Sequence, residues 1–280
     1  MQPILYVHIP KAGGSAVNEF FLQRLGKAAC LPHAENQFRG LQPDPASFSK
    51  FKFISGHLVY PNLKRHADGG DRFVMTVLRE PLEQLISHIA WIRYQTEPAQ
   101  RRAFHGLPDH VKALSEQLAK FDPSNADALD RFLSNLEPQN MGFFDNCQTR
   151  YLVSQVNGPI APGMLRRAKS NLAAMDFVGI QESMQDVFDW LSYTLGLEPA
   201  DASAGVNESK RKYGLDARDP AIQRVLRPFV ALDQELYEHG KTLFGASIYA
   251  MWSEVRTESP GIVDRELLAR EIRKRAQKQG

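Results

Sequence analysis

The sequence predicts an α/β protein with a doubly wound parallel sheet that is flanked by helices. Short apolar runs rich in β-branched residues recur along the chain, and each has the length of a buried strand. Apolar residues at helical spacing occupy the segments between these runs. The first run ends in a glycine turn that leads directly into a helical pattern, which is how a β-α-β unit begins.

The predicted strands are short and apolar, and turn residues bound each of them. The run FVMTVL has the clearest pattern, because an apolar or β-branched side chain occupies every position. In chain order, strands are predicted at 4–9, 52–55, Phe73–Leu78 and 176–180.

Helices are predicted wherever apolar residues recur at a spacing of three or four. One helix is expected to begin at Pro81, since proline in the first turn loses no hydrogen bond. In chain order, the predicted helices cover 17–25, 81–93, 111–121, 126–136, 164–175, 185–195, 221–244 and 264–279. The last has an excess of Arg and Lys, which divides the chain into a main domain, 1–256, and a charged C-terminal helix, 257–280. Such a helix is usually docked on its own domain, and contact with a partner or with a membrane surface is the alternative.

Composition and charge exclude several classes of protein. Hydrophobic residues make up 43% and charged residues 24% of the chain, as in an ordinary globular protein. A formal net charge of +2 is too small for a protein that coats nucleic acid. The apolar run Phe73–Leu78 is far shorter than the ~20 residues of a membrane span, and residues 1–11 do not resemble a signal peptide. Cys30 and Cys147 lack zinc-site spacing and indicate reduced thiols, so a cytoplasmic location is expected.

The loop PKAGGSA, residues 10–16, has the composition of an anion-binding turn. Glycines let backbone N–H groups approach an anion, and the positive end of the following helix points at the same place. Because Lys11 precedes the glycines, the loop is not a Walker A sequence, in which the lysine follows them. This order favours a ligand in which Lys11 reaches a bridging or leaving-group oxygen and Ser15 holds a phosphate. Taken alone, a loop with two glycines is more often only a turn.

A second candidate group consists of Arg79, at the end of the third predicted strand, and Ser87 in the helix that follows. Ligands of open parallel sheets bind at the carboxyl ends of the strands, so we expect Arg79 and Lys11 to share one crevice. The guanidinium of Arg79 offers two parallel hydrogen bonds to a phosphate. The alternative is an ion pair between Arg79 and Glu80 or Glu83, with Ser87 on the surface.

Together, HIPKAGGS and VLREPLEQLISH resemble the nucleotide-binding pair of the carbohydrate sulfotransferases that use 3′-phosphoadenosine-5′-phosphosulfate (PAPS). Within this family the chain most resembles the heparan sulfate 2-O- and 6-O-sulfotransferase group and its bacterial relatives. The likeness continues in order over residues 4–245, through FISGHLVYPNL, NCQTRYL, AKSNLAAMDFVGIQESMQDVFDWL, VNESKRKY and LDQELYEHGKTLF. It implies a P-loop-like sulfotransferase fold. The sequence lacks the membrane anchor of the Golgi enzymes, so the resemblance implies a cytoplasmic enzyme of bacterial type.

The resemblance also implies roles for individual residues. Backbone or side-chain atoms of the loop would hold the 5′-phosphosulfate of PAPS, at Lys11, Ala12, Gly13, Gly14, Ser15 and Ala16. Arg79 and Ser87 would hold the 3′-phosphate, and Ser209 and Arg211 would close over it. His57 would be the general base, and Lys11 would stabilise the leaving phosphate. The family's loop usually reads Lys-Thr-Gly-Gly-Thr, so Ala12 and Ala16 bring no hydroxyl to this loop, whereas Ser15 does.

This inventory of residues suits sulfuryl transfer. A transferring sulfuryl group bears less negative charge than a phosphoryl group, so lysine and backbone dipoles can stabilise it, and no metal is expected. A near-neutral histidine can take the proton of a hydroxyl, although a histidine after a strand is more often structural. The acceptor implied by the resemblance is a carbohydrate or glycoconjugate. Candidates to line its groove are Arg93, Tyr94, Arg150 and Tyr151, each of which could equally belong to the core or the surface.

Two other functions remain open at this point. A P-loop-like nucleoside or sugar kinase has the same fold class and uses ATP and Mg²⁺, but the position of Lys11 argues against it. A nucleotide-binding or scaffolding module without turnover is the second alternative, and the presence of both Lys11 and His57 weakens it. Binding of 3′-phosphoadenosine 5′-phosphate (PAP) rather than ATP separates the sulfotransferase from the kinase.

Overall fold

The computed structural model describes residues 1–38, 48–67, 71–155, 157–202 and 212–279. Within these ranges the strands are Ile4–Val7 (β1), Cys30–Leu31 (β2), Phe53–Gly56 (β3), Phe73–Leu78 (β4) and Phe177–Ile180 (β5). The helices in the same ranges are Gly14–Leu25 (α1), Tyr60–Ala67 (α2), Pro81–Tyr94 (α3), Arg101–His105 (α4), Asp109–Ala119 (α5), Ala126–Ser134 (α6), Met141–Phe144 (α7), Cys147–Leu152 (α8), Gly163–Ala173 (α9), Met184–Leu195 (α10), Pro220–Leu226 (α11), Ala231–Glu258 (α12) and Arg265–Gln279 (α13).

The chain forms two compact units, each assembled from separate segments. The first unit comprises Met1–Arg79, Lys169–Asn207 and Tyr237–Gly280, and it contains the whole sheet. The second unit comprises Glu80–Ala168 and Glu208–Leu236 and is helical in its described part. In the core of this helical unit, Leu85 and Ile89 of α3 pack with apolar residues of α5, α6 and α11.

The sheet of the first unit has five parallel strands in the order β2-β3-β1-β4-β5. The central strand is β1, whose Ile4 is aligned with Phe53 of β3 on one side and with Phe73 of β4 on the other. The chain therefore crosses from one side of β1 to the other between β3 and β4. In open parallel sheets such a switch point opens a crevice at the carboxyl ends of the strands, which predicts a ligand site beyond β1, β3 and β4.

Helices cover both faces of this sheet. Side chains of consecutive strand residues point to opposite faces, so the neighbours of two successive residues of β4 identify the helix on each face. A Cβ atom added at Gly179 would lie 3.0 Å from both Val77 of β4 and Val187 of α10, which places α10 on one face. A Cβ atom added at Gly240 of α12 would lie 2.6 Å from Cδ1 of Leu78, the next residue of β4. The predicted α/β class, with a parallel sheet flanked by helices, is thus confirmed.

Among the differences between the predicted and observed elements, three have a clear physical reason. Strand β1 ends at Val7 rather than at residue 9, because the chain turns into the glycine loop. Strand β2 was not predicted, since two residues are too few to form a pattern. The helix predicted at 221–244 is interrupted by a 3₁₀ turn, Arg227–Val230, and α12 then continues to Glu258. Pro228 explains the interruption, because its backbone nitrogen has no hydrogen to donate to the preceding turn of an α-helix.

The charged C-terminal helix α13 packs within the first unit. Leu268 and Ile272 are fully buried in an apolar cluster that contains Tyr193 and Val255. The guanidinium of Arg275 lies 4.0 Å from the centre of the Tyr193 ring. The apolar face of α13 is therefore used inside its own unit. None of the described helices is long and apolar enough to cross a membrane.

Candidate functional site

The glycine loop joins β1 to α1 in the first unit, and two of its residues have left-handed backbone angles. Gly13, the residue before α1, has φ 83°, and Lys11 has φ 63°. A side chain at Gly13 would be strained at that angle, and an added Cβ atom would lie 2.6 Å from Cε of Met184. At Gly14 an added Cβ atom would lie 1.8 Å from Nε2 of His8. The two glycines are required by the path of the loop and by the close approach of the His8 ring.

The loop presents backbone donors at the N-terminus of α1. Gly13 offers no side chain to cap the helix, so the first N–H groups of α1 depend on other acceptors. Within the described part of the chain, the N–H groups of Gly14 and Ser15 have no protein acceptor. Ser15 is exposed at this position, whereas Ala12 is fully buried. Unsatisfied N–H groups and the positive end of the helix dipole favour an anion here.

Two cationic side chains adjoin these donors. Arg79 follows β4, and its Nη1 donates to the carbonyl oxygen of Lys11 at 3.1 Å. The structure thus brings Arg79 and Lys11 together at one edge of the sheet, as expected from the parallel strands. Burial lowers the pKa of Lys11, and the neighbouring charge of Arg79 lowers it further. An anion would relieve both effects, because it would compensate the buried charge and the repulsion between the two cations.

His57 lies just beyond the carboxyl end of β3, next to β1 in the sheet. Its Nδ1 lies 2.9 Å from the carbonyl oxygen of His8. Because a carbonyl oxygen can only accept, Nδ1 carries the hydrogen and the lone pair of neutral His57 is on Nε2. The main-chain N–H of His57 donates to Oε2 of Glu35 at 2.9 Å. The first hydrogen bond fixes the tautomer and orients the imidazole, and the second holds the main chain of His57.

Histidines and Lys11 form one electrostatic cluster at this edge. Burial lowers the pKa of His57, the carboxylate of Glu35 and the hydrogen bond to His8 raise it, and His33 and Lys11 lower it. Burial, followed by His57, His33 and Lys11, lowers the pKa of His8 to about 2. The rings of His8 and His57 lie 4.1 Å apart between centres. At neutral pH both imidazoles are therefore neutral, which is the form of His57 that can accept a proton.

His33 and Glu35 complete this cluster, and sequence analysis did not identify them. Both residues follow β2, and the two-residue strand gave no signal that they lie at a carboxyl end in the sheet. Donor atoms of His33, Glu35 and His57 lie within 4.8 Å of one another. Oε2 of Glu35 already accepts from His57, Oε1 lies 3.3 Å from Nδ1 of His33, and Lys11 is close by. These contacts favour a hydrogen-bonded cluster over a set of metal ligands.

Three further residues were predicted to bind the nucleotide, namely Ser87, Ser209 and Arg211. Ser87 lies in α3 of the second unit and is 8% exposed. Ser209 and Arg211 lie outside the described residues. The proposed contacts of these three residues with a 3′-phosphate stay predictions.

The predicted acceptor-groove residues belong to the second unit. The Arg93 guanidinium lies 4.4 Å from the centre of the Tyr213 ring, and the Tyr94 hydroxyl accepts from Nε2 of Gln100 at 3.0 Å. Tyr151 of α8 is partly buried. Arg150 is only 1% exposed, and its guanidinium donates to main-chain carbonyls and pairs with Asp145. That arrangement is typical of a structural arginine.

The comparisons with known proteins give no family for this chain. No family model matches it, and no curated protein matches it. Its function must therefore be inferred from the residues themselves and from the geometry around Lys11, Arg79 and His57.

Proposed function

We propose that this protein is a PAPS-dependent sulfotransferase that moves a sulfuryl group onto a hydroxyl of a carbohydrate or glycoconjugate. One observation supports the proposal most strongly. A cluster suited to bind an anion and a neutral histidine that can act as a base lie at the same edge of the sheet. The cluster consists of Lys11, Arg79 and the N–H groups of Gly14 and Ser15, which lack a protein acceptor among the described residues. His57 supplies the base through Nε2.

The cluster suits the phosphosulfate of PAPS. Backbone N–H groups at the start of α1 would bind non-bridging oxygens, and Lys11 would face the oxygen that links phosphate to sulfate. As the S–O bond breaks, its electron pair remains on the phosphate of the leaving PAP, and the ammonium of Lys11 stabilises that charge. Arg79 holds the carbonyl of Lys11 and in this way positions the loop.

His57 suits activation of the acceptor. The acceptor oxygen forms the new bond to sulfur while its proton moves to Nε2 of His57, so the nucleophile does not have to carry a positive charge. The imidazolium that results keeps its Nδ1 hydrogen bond to the His8 carbonyl. Loss of this proton to solvent after product release restores the neutral base.

The nucleotide can be identified by the ligands that stabilise the fold. PAP at 100 times its dissociation constant should add about 2.7 kcal/mol to the free energy of unfolding. Adenosine 5′-phosphosulfate lacks the 3′-phosphate and should bind much more weakly. The resemblance also assigns the 3′-phosphate to Arg79, so Arg79→Ala should remove most of the difference between these two ligands. Arg101→Ala, which removes an exposed arginine of α4, should preserve it. Stabilisation by ATP–Mg²⁺ and not by PAP would instead indicate a kinase.

Turnover is tested separately, with labelled PAPS and a panel of polysaccharides, glycolipids and small alcohols. Transfer of label to a hydroxyl of any member establishes the reaction, and the preferred member identifies the acceptor class. Tight binding of PAP without transfer to any acceptor would favour the non-catalytic module.

A further inference from the structure

Glu35 is in direct contact with His57, and the proposed transfer mechanism gives it no role. It lies in the short 3₁₀ helix Ala34–Phe38, and its side chain is 23% exposed. Oε2 accepts from the main-chain N–H of His57 at 2.9 Å. A Cβ atom added at Gly56 would lie 2.8 Å from the same oxygen, so the carboxylate packs directly against the end of β3.

More cationic than anionic groups face His57. Lys11, from the glycine loop, and His33, after β2, both disfavour a positive charge on the ring. His8, the residue that follows β1, packs against the ring and is itself held neutral by burial and by these neighbours. Among the described groups that act on His57 electrostatically, Glu35 is the one acid. Without it, the ring would have to accept a proton in surroundings that are partly buried and cationic.

We propose that Glu35 is a positioning residue for the transfer reaction, which holds His57 at the end of β3 and stabilises the imidazolium formed when His57 takes the acceptor's proton. The inference rests on the proposed function. Its chemistry is one proton transfer, in which the acceptor O–H breaks, an N–H bond forms at Nε2, and the positive charge of the ring is compensated by the carboxylate. Glu35 itself neither gains nor loses a proton in this step.

The variant Glu35→Gln separates charge from hydrogen bonding. The amide oxygen can still accept from the His57 N–H, so the loop is kept, but the negative charge is lost. We expect kcat to fall about tenfold, part of the 10²–10⁴ that a general base contributes, with PAP affinity unchanged. The variant ring is harder to protonate, so the acid limb of the kcat/KM profile should move to lower pH. Glu35→Asp, which keeps the charge, should recover part of the rate and return the limb toward its original position.

The control is Glu19→Gln, which removes one negative charge from the exposed face of α1 in the same unit. Its rate and pH profile should match those of the unaltered protein. An acid limb that stays in place in Glu35→Gln contradicts the proposal, even if the rate falls. A loss of PAP affinity in that variant also contradicts it, since Glu35 would then act through the nucleotide site.

A second measurement does not depend on turnover. NMR titration of the histidine rings, assigned to His57 with His57→Gln, should give a lower midpoint in Glu35→Gln than in the unaltered protein. If PAPS is not a substrate but the midpoint moves, the coupling of Glu35 to His57 stands and only the proposed function fails. If the His57 signals of the two proteins coincide over the whole pH range in which they are folded, the role of Glu35 is wrong whatever the reaction.

Discussion

Each unit contains a buried polar cluster. The two clusters have similar residue types, but we assign a structural role to one and a functional role to the other. In the second unit, Arg150 is 1% exposed, and its guanidinium donates to the carbonyls of Asp145, Gln155 and Gly158. It also pairs with the carboxylate of Asp145, which is 13% exposed. The charge and the donors of this arginine are satisfied inside the protein.

Neighbouring residues of the second unit complete the satisfied cluster. The carboxylate of Asp233 accepts from the N–H groups of Gln148 and Thr149 at the start of α8. In return, the side-chain oxygen of Asn146 accepts from the N–H groups of Leu232 and Asp233 at the start of α12. Each helix thus receives its N-terminal cap from the residues that begin the other helix.

The cluster around Lys11 in the first unit is arranged differently. Two cations adjoin there, the first N–H groups of α1 lack protein acceptors within the described residues, and a neutral histidine presents a lone pair. Two adjoining cations and buried N–H donors cost stability, and a ligand of opposite charge recovers part of that cost. We therefore expect substitutions to impair function in the first unit and stability in the second.

The largest effect is expected from His57→Ala. Loss of the base should lower kcat by roughly 10²–10⁴, with PAP affinity and the unfolding transition almost unchanged. Steady-state turnover and PAP titration of the same preparations measure the two quantities. His105→Ala, which removes an exposed histidine of α4, is the control. Unchanged turnover in His57→Ala would exclude it from the mechanism, and loss of PAP binding would make it a structural or nucleotide-binding residue.

The next largest effect is expected on stability, from Arg150→Ala. Removal of this arginine leaves Asp145 and three carbonyl groups without their donor, so the free energy of unfolding should fall by about 3–5 kcal/mol. Urea denaturation measures this change. The matched control is Arg218→Ala in the same unit, because Arg218 is 91% exposed and its partner Asp216 is 51% exposed. Loss of this exposed pair should leave the free energy of unfolding almost unchanged, because solvent screens the two charges. Equal effects of the two substitutions would refute the contrast drawn between the clusters.

A somewhat smaller effect is expected from Lys11→Ala. Loss of one stabilising charge at the leaving oxygen should slow turnover by roughly 10²–10³. The free energy of unfolding should not fall, because a partly buried cation next to Arg79 is removed. Lys27→Ala, an exposed lysine just after α1, controls for net charge. Normal turnover together with a lower free energy of unfolding in Lys11→Ala would mean that Lys11 has a structural role, like Arg150.

The contrast also shows what sequence can predict about the fold. The bounds of β4 were predicted correctly, because an unbroken β-branched apolar run has no helical alternative of that length. The two residues of β2 gave no pattern, and its carboxyl end carries His33 and Glu35. These two residues of the cluster around His57 were therefore absent from the sequence analysis. Sequence proximity did indicate Lys11, the glycines and Arg79, since each directly follows a recognisable strand.

Hydrogen-bond partners could not be predicted in the same way. Nothing in the sequence indicates that the His8 carbonyl fixes the tautomer of His57, because the contact joins residues 49 positions apart. Likewise, the candidates Arg93, Tyr94, Arg150 and Tyr151 share similar residue types and sequence contexts. Only burial and the use of its donors mark Arg150 as structural.

The smallest effect concerns the pH dependence of the satisfied cluster. Burial raises the pKa of Asp233 to about 6, although hydrogen bonds from Thr149 and Gln148 oppose the shift. A carboxyl whose folded-state pKa lies above its unfolded value stabilises the fold only when protonated. Its contribution is therefore absent above pH 6 and grows as the pH falls toward the unfolded value.

Asp233→Asn removes this titration and keeps one acceptor oxygen for α8. Relative to the variant, the unaltered protein should gain about 1 kcal/mol of unfolding free energy between pH 7 and pH 5. Urea denaturation of both proteins at the two pH values measures the difference, and the other carboxyl groups cancel in it. A gain of the same size in His57→Ala as in the unaltered protein would show that the effect belongs to the second unit. A difference that does not change with pH would mean that Asp233 is ionised in the fold throughout this range, held so by the N–H groups of α8.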